Sequence, residues 1–268
     1  MNLEIIYIAG YGRSRSTLLE RLLAESGGSA VLSSGELANL SHRQGSLDAR
    51  CQCGAKFAQC DVWSRQPQLN FGSDSVHHLG RLSDSERSAF ESFNQTAHFG
   101  NFQYLIDSSK TAHRHMMRPL RWRKSGYEVT VVLPIRRLDE VVRSRIARAE
   151  RDLGHVVPRW RSAFIAIETA LTWTLANLAG MLYHPIVVDS QDLVDSPDST
   201  IAMILDAIGI AVAAPDPISR HMVAGNRMKS LSLSSKPPVH RQLGSIERLI
   251  SRIGRPLYNS VVRRGVRP

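Results

Sequence analysis

"YIAGYGRSRSTLLERLLAES", residues 7–26, decides the fold. Its first residues continue an apolar run that begins at Leu3, and Leu18, Leu19, Leu22 and Leu23 recur at helical spacing in its second half. Between the two, Gly10 to Thr17 holds two glycines, two arginines and three small hydroxyl residues. A strand that hands over to a helix through such a loop aims backbone N–H groups and the positive end of the helix dipole at one point, which makes an anion site. Ser14, Ser16 and Thr17 add hydroxyl donors, and Arg13 and Arg15 add guanidinium forks suited to planar oxyanions. What has to be worked out is which anion.

A Walker A loop reads G-x-x-x-x-G-K-[ST]. Gly10 and Thr17 fall on its first and last positions, but Arg15 replaces its second glycine and Ser16 its lysine. That lysine reaches the terminal phosphates of a nucleoside triphosphate whose charge Mg²⁺ helps to neutralise. A sulfuryl group carries less charge than a phosphoryl group, so a metal-free loop clamped by arginine suits it better.

The 268 residues fit one large α/β domain, and 43% hydrophobic content supports a real core and argues against disorder. A formal net charge of +10 suits nucleic acid, an anionic membrane or a small ligand with several negative groups. Aromatics are only 6% and are not interleaved with the basic residues, which counts against base stacking. Met1–Gly10 carries Glu4 and has no basic n-region, so no secretory signal is expected there. The apolar stretch Ala163–Tyr183 is about as long as a membrane span, but Glu168, Thr172, Thr174 and Asn177 interrupt it, and it reads as a buried helix. The expectation is a soluble, cytoplasmic protein. Cys51, Cys53 and Cys60 are odd in number and lack a nearby fourth zinc ligand, so they read as structural cysteines in a compact loop.

Periodicity places strands at Leu3–Ala9, Ala30–Leu32, Tyr104–Ile106, Glu128–Pro134 and Pro185–Val188. Helices are expected over Ser16–Ser26, Glu36–Ser41, Ser83–His98, Ala112–Lys124, Leu138–Arg151, Trp160–Leu182 and Pro197–Ile208, with a basic one near Ser245–Ile253. Strands separated by helices predict a three-layer α/β fold with a mainly parallel central sheet flanked by helices. A single domain is expected over residues 1–268, with 44–80 as an insertion over the active face and 230–268 as a basic C-terminal segment.

"GRSRSTLL", residues 12–19, resembles the 5′-phosphosulfate loop of sulfotransferases that use 3′-phosphoadenosine-5′-phosphosulfate (PAPS), approximately P-[KR]-S-G-[ST]-[ST]. Gly12 stands for the usual proline, Arg13 matches the catalytic Lys/Arg, and Arg15 replaces the usual glycine. "VVLPIRRLDEVVRSRIARAE", residues 131–150, is similar to the family's 3′-phosphate motif, with Arg136 at a strand end and Ser144 eight positions later. "HMVAGNRMKS", residues 221–230, is similar to the late H-x-x-x-G-N-P-x-R segment that closes over the nucleotide. His221, Gly225 and Asn226 match, whereas Arg227 replaces the proline and Lys229 the arginine. "VVDSQDLVDSPDSTIAMILDAIGI", residues 187–210, looks like the family's strand–E-D-L–x-x-x-P–helix segment, and "CQCGAKFAQCDVW", residues 51–63, like the C-x-C-G…C-x-x-W insertion of bacterial members. The resemblance runs from Tyr7 to about Lys229.

It implies PAPS as co-substrate, no required metal, and metal-independent in-line transfer of a sulfuryl group to a hydroxyl of a carbohydrate, glycolipid, phenol or peptide tyrosine. Such transfer needs a base for the acceptor proton and positive donors around the moving group. "SSGELANL", residues 33–40, resembles the G-E segment that supplies the base, which points to Glu36. In "LIDSSKTAHRH", residues 105–115, Lys110 resembles the lysine that contacts the sulfate or leaving phosphate, and "KTAH" echoes a K-T-H segment and makes His113 the second candidate base. Catalytic roles are therefore expected of Arg13, Glu36, Lys110 and His113. Nucleotide contacts are expected of Gly12, Arg13, Ser14, Arg15, Ser16, Thr17, Arg136, Ser144, Asn226, Arg227 and Lys229. Neither nucleic acid binding nor stable membrane insertion is expected. The rival classes are a P-loop small-molecule kinase, to be recognised by Mg²⁺-dependent ATP turnover, and a basic nucleic-acid-binding protein.

Overall fold

Five strands form one sheet in a computed structural model that describes residues 3–36, 102–111, 115–124 and 126–213, with scattered positions at 55–59 and 249–262. In chain order the elements are β1 (Glu4–Ile8), α1 (Ser16–Gly27), a short 3₁₀ turn (Gly28–Ala30), β2 (Val31–Ser33), β3 (Tyr104–Asp107), α2 (Arg118–Lys124) and β4 (Glu128–Ile135). There follow α3 (Leu138–Leu153), α4 (Arg159–Met181), β5 (Ile186–Asp189), α5 (Asp192–Asp195) and α6 (Pro197–Ile208). The sheet order is β2-β3-β1-β4-β5, and every neighbouring pair is parallel.

The strands are apolar on both sides, as a parallel sheet covered by helices on each face requires. Alternate residues feed two cores. Ile5, Tyr7, Leu105, Leu133 and Val187 enter one with Trp122 of α2, Val141 of α3 and Trp173 of α4. Ile6, Ile8, Ile106, Val132 and Val188 enter the other with Leu19 and Leu23 of α1 and Ile204 of α6. The three-layer α/β reading is what the chain forms. Each expected strand lies within two residues of the observed one.

The helices depart from expectation in three places. Glu36 is not helical, and the rest of the segment expected at Glu36–Ser41 lies outside the described residues. The helix expected from Ala112 begins only at Arg118. Helix α4 is not buried all round: Ala166, Trp173 and Ala176 face the sheet, while Phe164, Leu171 and Leu175 are exposed. Ser83–His98 and most of 44–80 and 230–268 lie outside the described residues, as do Cys51, Cys53 and Cys60.

The order of the strands locates a crevice. The chain leaves β1 toward β2 on one side and leaves β4 toward β5 on the other, so the connections diverge between β1 and β4. In an open parallel sheet a ligand binds outside the carboxyl ends of the strands at such a point.

Candidate active site

Each strand delivers functional groups to this carboxyl edge: β1 the loop Gly10–Arg15, β2 Glu36, β3 Lys110 and Thr111, β4 Arg136, β5 Ser190 and Gln191. Gly10 has φ +88, and a Cβ there would lie 2.9 Å from Leu133 Cδ1 and 3.3 Å from Asn177 Oδ1, so only glycine passes. Its N–H donates to Thr111 Oγ1 at 2.9 Å, and the Thr111 N–H donates to the Gly10 carbonyl at 3.2 Å. The Thr111 hydroxyl donates in turn to the Ala176 carbonyl of α4 at 2.7 Å, which braces the loop against β3 and α4 together.

Four non-glycine residues among those described have left-handed backbone: Arg13, Arg15, Lys110 and His184. Three of the four stand at this edge. Arg15 is the N-cap of α1 and makes no side-chain capping bond, so the first N–H groups of α1 have no partner from that side chain. Its guanidinium instead donates to the Ser190 carbonyl at 2.5 Å and to Gln191 Oε1 at 3.1 Å, clamping the loop to the end of β5. The residue that replaces the expected glycine is thus a brace as well as a charge.

Arg13 is different. It is half-buried, and among the described residues its guanidinium has no hydrogen-bond partner and no ion pair. Burial, followed by repulsion from Arg148, Arg151 and Arg145, lowers its pKa from the ordinary arginine value. Burial, followed by Arg136, does the same to Arg15. Beside them the Ser14 hydroxyl is fully buried and has no partner among the described residues, and the same holds for the Ser190 hydroxyl. Crowded guanidinium groups and orphaned donors are costly unless an anion completes them. Gly12, Ser16 and Thr17 occupy the same loop and first turn.

Arg136 donates through Nη1 to the Arg13 carbonyl at 3.2 Å and through Nε to Glu140 Oε2 at 2.7 Å. Its own carbonyl accepts from Trp173 Nε1 at 3.2 Å. Ser144 lies on α3, half-buried and with no side-chain hydrogen bond among the described residues. Arg136 and the phosphate-type loop are therefore brought together across the β1/β4 crevice.

On the β3 side Lys110 forms an ion pair with Glu36 and donates to the Ser108 carbonyl at 3.2 Å. The buried Tyr7 hydroxyl donates to the Lys110 carbonyl, and burial raises its pKa well above the ordinary value, which keeps that proton on the ring oxygen. Asp107, the last residue of β3, is a buried anchor. Its Oδ2 accepts from Arg118 Nε at 2.6 Å and from Trp122 Nε1 at 2.9 Å, and its Oδ1 from the Ser109 N–H at 3.0 Å.

Sequence reasoning passed over Glu20. It is wholly buried on α1, and its Oε1 accepts from the Ser33 hydroxyl at 2.8 Å and from the Gly35 N–H at 2.6 Å. Desolvation raises its pKa to about 7 against the opposing pull of Ser108, Ser33, Gly35 and Lys110. It underlies the turn that presents Glu36. The spacing Ser16, Glu20, Leu23, Gly27 already put a carboxylate on the buried stripe of α1. His113, His221, Gly225, Asn226, Arg227 and Lys229 lie outside the described residues. Among the described residues no group of three or more His, Cys, Asp or Glu is arranged to hold a metal ion.

No protein-family model matches the chain, and no curated protein matches it. Among solved structures it is similar to a sulfotransferase domain from the curacin biosynthetic pathway, at 15% identity and TM-score 0.48, covering 94% of this chain and 97% of that one. It is also similar to the sulfotransferase STF1 from Mycobacterium tuberculosis, at 16% identity and TM-score 0.45, covering 80% and 69%. A third is the sulfotransferase domain of the Synechococcus PCC 7002 olefin synthase, at 17% identity and TM-score 0.44, covering 95% and 88%.

Proposed function

We propose that the protein transfers a sulfuryl group from PAPS to a hydroxyl acceptor. One observation carries this reading: a half-buried Arg13 guanidinium and the next residue's buried Ser14 hydroxyl, both without a partner among the described residues, in a strand–loop–helix turn without the Walker lysine. Those groups fit a terminal oxyanion of modest charge, and Arg136 across the crevice fits a second anionic group of the same nucleotide. The acceptor oxygen forms a bond to sulfur as the bond from sulfur to the bridging phosphate oxygen breaks, and the electron pair leaves with the phosphate. The acceptor proton passes to Glu36, whose carboxylate Lys110 holds at the end of β2 and β3. Arg13, Ser14 and the N-terminal N–H groups of α1 meet charge that develops on the transferring and leaving oxygens. Asn226, Arg227 and Lys229 are assigned to the adenosine side on their resemblance alone.

The test is binding of the nucleotide product, 3′-phosphoadenosine-5′-phosphate (PAP), without added metal. At about 100 times its Kd it should stabilise the fold by about 2.7 kcal/mol. Stabilisation by ATP with Mg²⁺ and none by PAP would overturn the reading in favour of a kinase. A mass-spectrometric screen for PAPS-driven sulfation of sugars, glycolipids, phenols and tyrosine peptides then names the acceptor.

A further inference from the structure

Beyond Arg161 every exposed residue of α4 is large and apolar, namely Phe164, Ile167, Leu171, Leu175 and Leu178, with Trp160 before them and Leu182 after. At 100° per residue all seven lie within about 40° of the line through Leu171. The positions are also symmetric about it. Offsets of 4, 7 and 11 residues on either side reach Ile167 and Leu175, Phe164 and Leu178, and Trp160 and Leu182. We propose that this stripe is the two-fold interface of a homodimer, in which α4 packs antiparallel on α4 of a second copy with Leu171 against Leu171.

The symmetry of the stripe carries the choice of occupant. An isologous interface must present one patch that complements itself. An antiparallel pair centred on Leu171 sets Trp160 and Phe164 of one copy against Leu182 and Leu178 of the other, so large side chains meet smaller ones along the whole seam. The exposed fractions, 74% for Trp160, 67% for Phe164, 62% for Leu171 and 78% for Leu182, leave on the order of 800 Å² of apolar side chain uncovered per protomer. That is about what each side of a standard interface buries, and an exposed patch of this size is unusual on a monomer.

The other face of α4 is committed, because Ala166, Trp173 and Ala176 pack on the sheet. A helix lying on a bilayer carries lysine and arginine along its polar flanks. The flanks here are Ala163, Ala170, Thr172, Thr174 and Ala179, and Glu168 is held by Arg145 at 3.0 Å. Basic residues occur only at the first turn, as Arg159 and Arg161. The inference does not rest on the reading of the active site.

Light scattering and sedimentation velocity of the full chain between 1 and 100 μM decide it, the concentration range following the weak-to-standard affinities of such interfaces. The wild type should run at twice the 29.8 kDa chain mass. Leu171→Glu and Leu171→Lys should each run as monomers whose Tm lies below that of the wild type and no longer varies with protein concentration, because the dimer's contribution is lost, and an equimolar mixture of the two should recover the dimer. Should either variant fold poorly, Ile167→Ala combined with Leu175→Ala should raise the dimer Kd at least tenfold. A monomeric wild type overturns the proposal. So do variants that remain dimeric, a wild-type Tm that is the same at 1 and 100 μM although a dimer's should rise with concentration, and a monomer that floats with phosphatidylserine vesicles.

Discussion

Glu20 offers a measurement whose sign follows from its burial. Its carboxyl is wholly buried and its pKa is raised from 4.5 to about 7, chiefly by desolvation. Between those values the folded chain holds a proton that the unfolded chain has released. Unfolding is then accompanied by proton loss, and stability must fall as pH rises. The contribution is complete below about pH 4.5 and is lost by the time the pH has passed about 7. At ~1.4 kcal/mol per pH unit, the span corresponds to about 3 kcal/mol, or roughly 5 °C in Tm for a chain of this length. Glu20→Gln keeps a carbonyl to accept from Ser33 and Gly35 but cannot ionise. Urea denaturation of both proteins at half-unit steps from pH 4.5 to 8.5 isolates the group, because other carboxylates titrate alike in each. The stability of the variant relative to the wild type should rise by about 3 kcal/mol across that range. A flat difference, or one that rises in the opposite direction, would refute the account of Glu20 as a desolvated acid.

Arg13→Ala should lower kcat by ~10²–10³, the scale of a lost transition-state donor, while the Kd for PAP changes little. Glu36→Gln should cost ~10²–10⁴ in single-turnover rate with PAPS saturating, and a dead His113→Ala beside an active Glu36→Gln would reassign the base. Arg136→Ala and Ser144→Ala should each weaken PAP binding, non-additively if they serve one phosphate, and a double-mutant cycle by calorimetry reads the coupling. Asp107→Asn should cost about 3–5 kcal/mol in urea denaturation at pH 7, since it breaks the buried ion pair with Arg118 and removes the charge that accepts from Trp122.

Legibility in the sequence followed the range of the forces at work. The sheet was readable because alternating burial in a doubly covered strand writes itself into each strand: Ile5 and Tyr7 go to one core, Ile6 and Ile8 to the other. The anion loop was readable because Gly10, Arg13 and Ser14 lie within five consecutive residues. What escaped depended on contacts between distant segments. Arg15 could not be assigned from its neighbours, because its partners Ser190 and Gln191 lie about 175 residues on. Asp107 carried the same charge whether it served chemistry or Arg118 and Trp122, and only the fold distinguishes them. Glu36 looked like the start of a helix because Gly-Glu precedes a leucine-rich run, whereas its backbone is set by the Gly35–Glu20 bond and its carboxylate by Lys110. The outer face of α4 was lost in an average, since composition cannot say that its exposed positions are all apolar.

The left-handed backbone at Arg13, Arg15 and Lys110 sets a limit on how the protein can be improved. Each such residue holds a conformation that costs an L side chain roughly 1 kcal/mol or more. A stability screen blind to activity would favour glycine at Arg13, where the torsion is free of that cost and no side-chain contact among the described residues is lost. At Arg15 and Lys110 the same change would also remove the tether to Ser190 and Gln191 and the ion pair with Glu36. Heat tolerance gained at Arg13 would come at the expense of turnover, so thermostable variants should be sought in α6 and the far end of the sheet, and Arg13 left as it is.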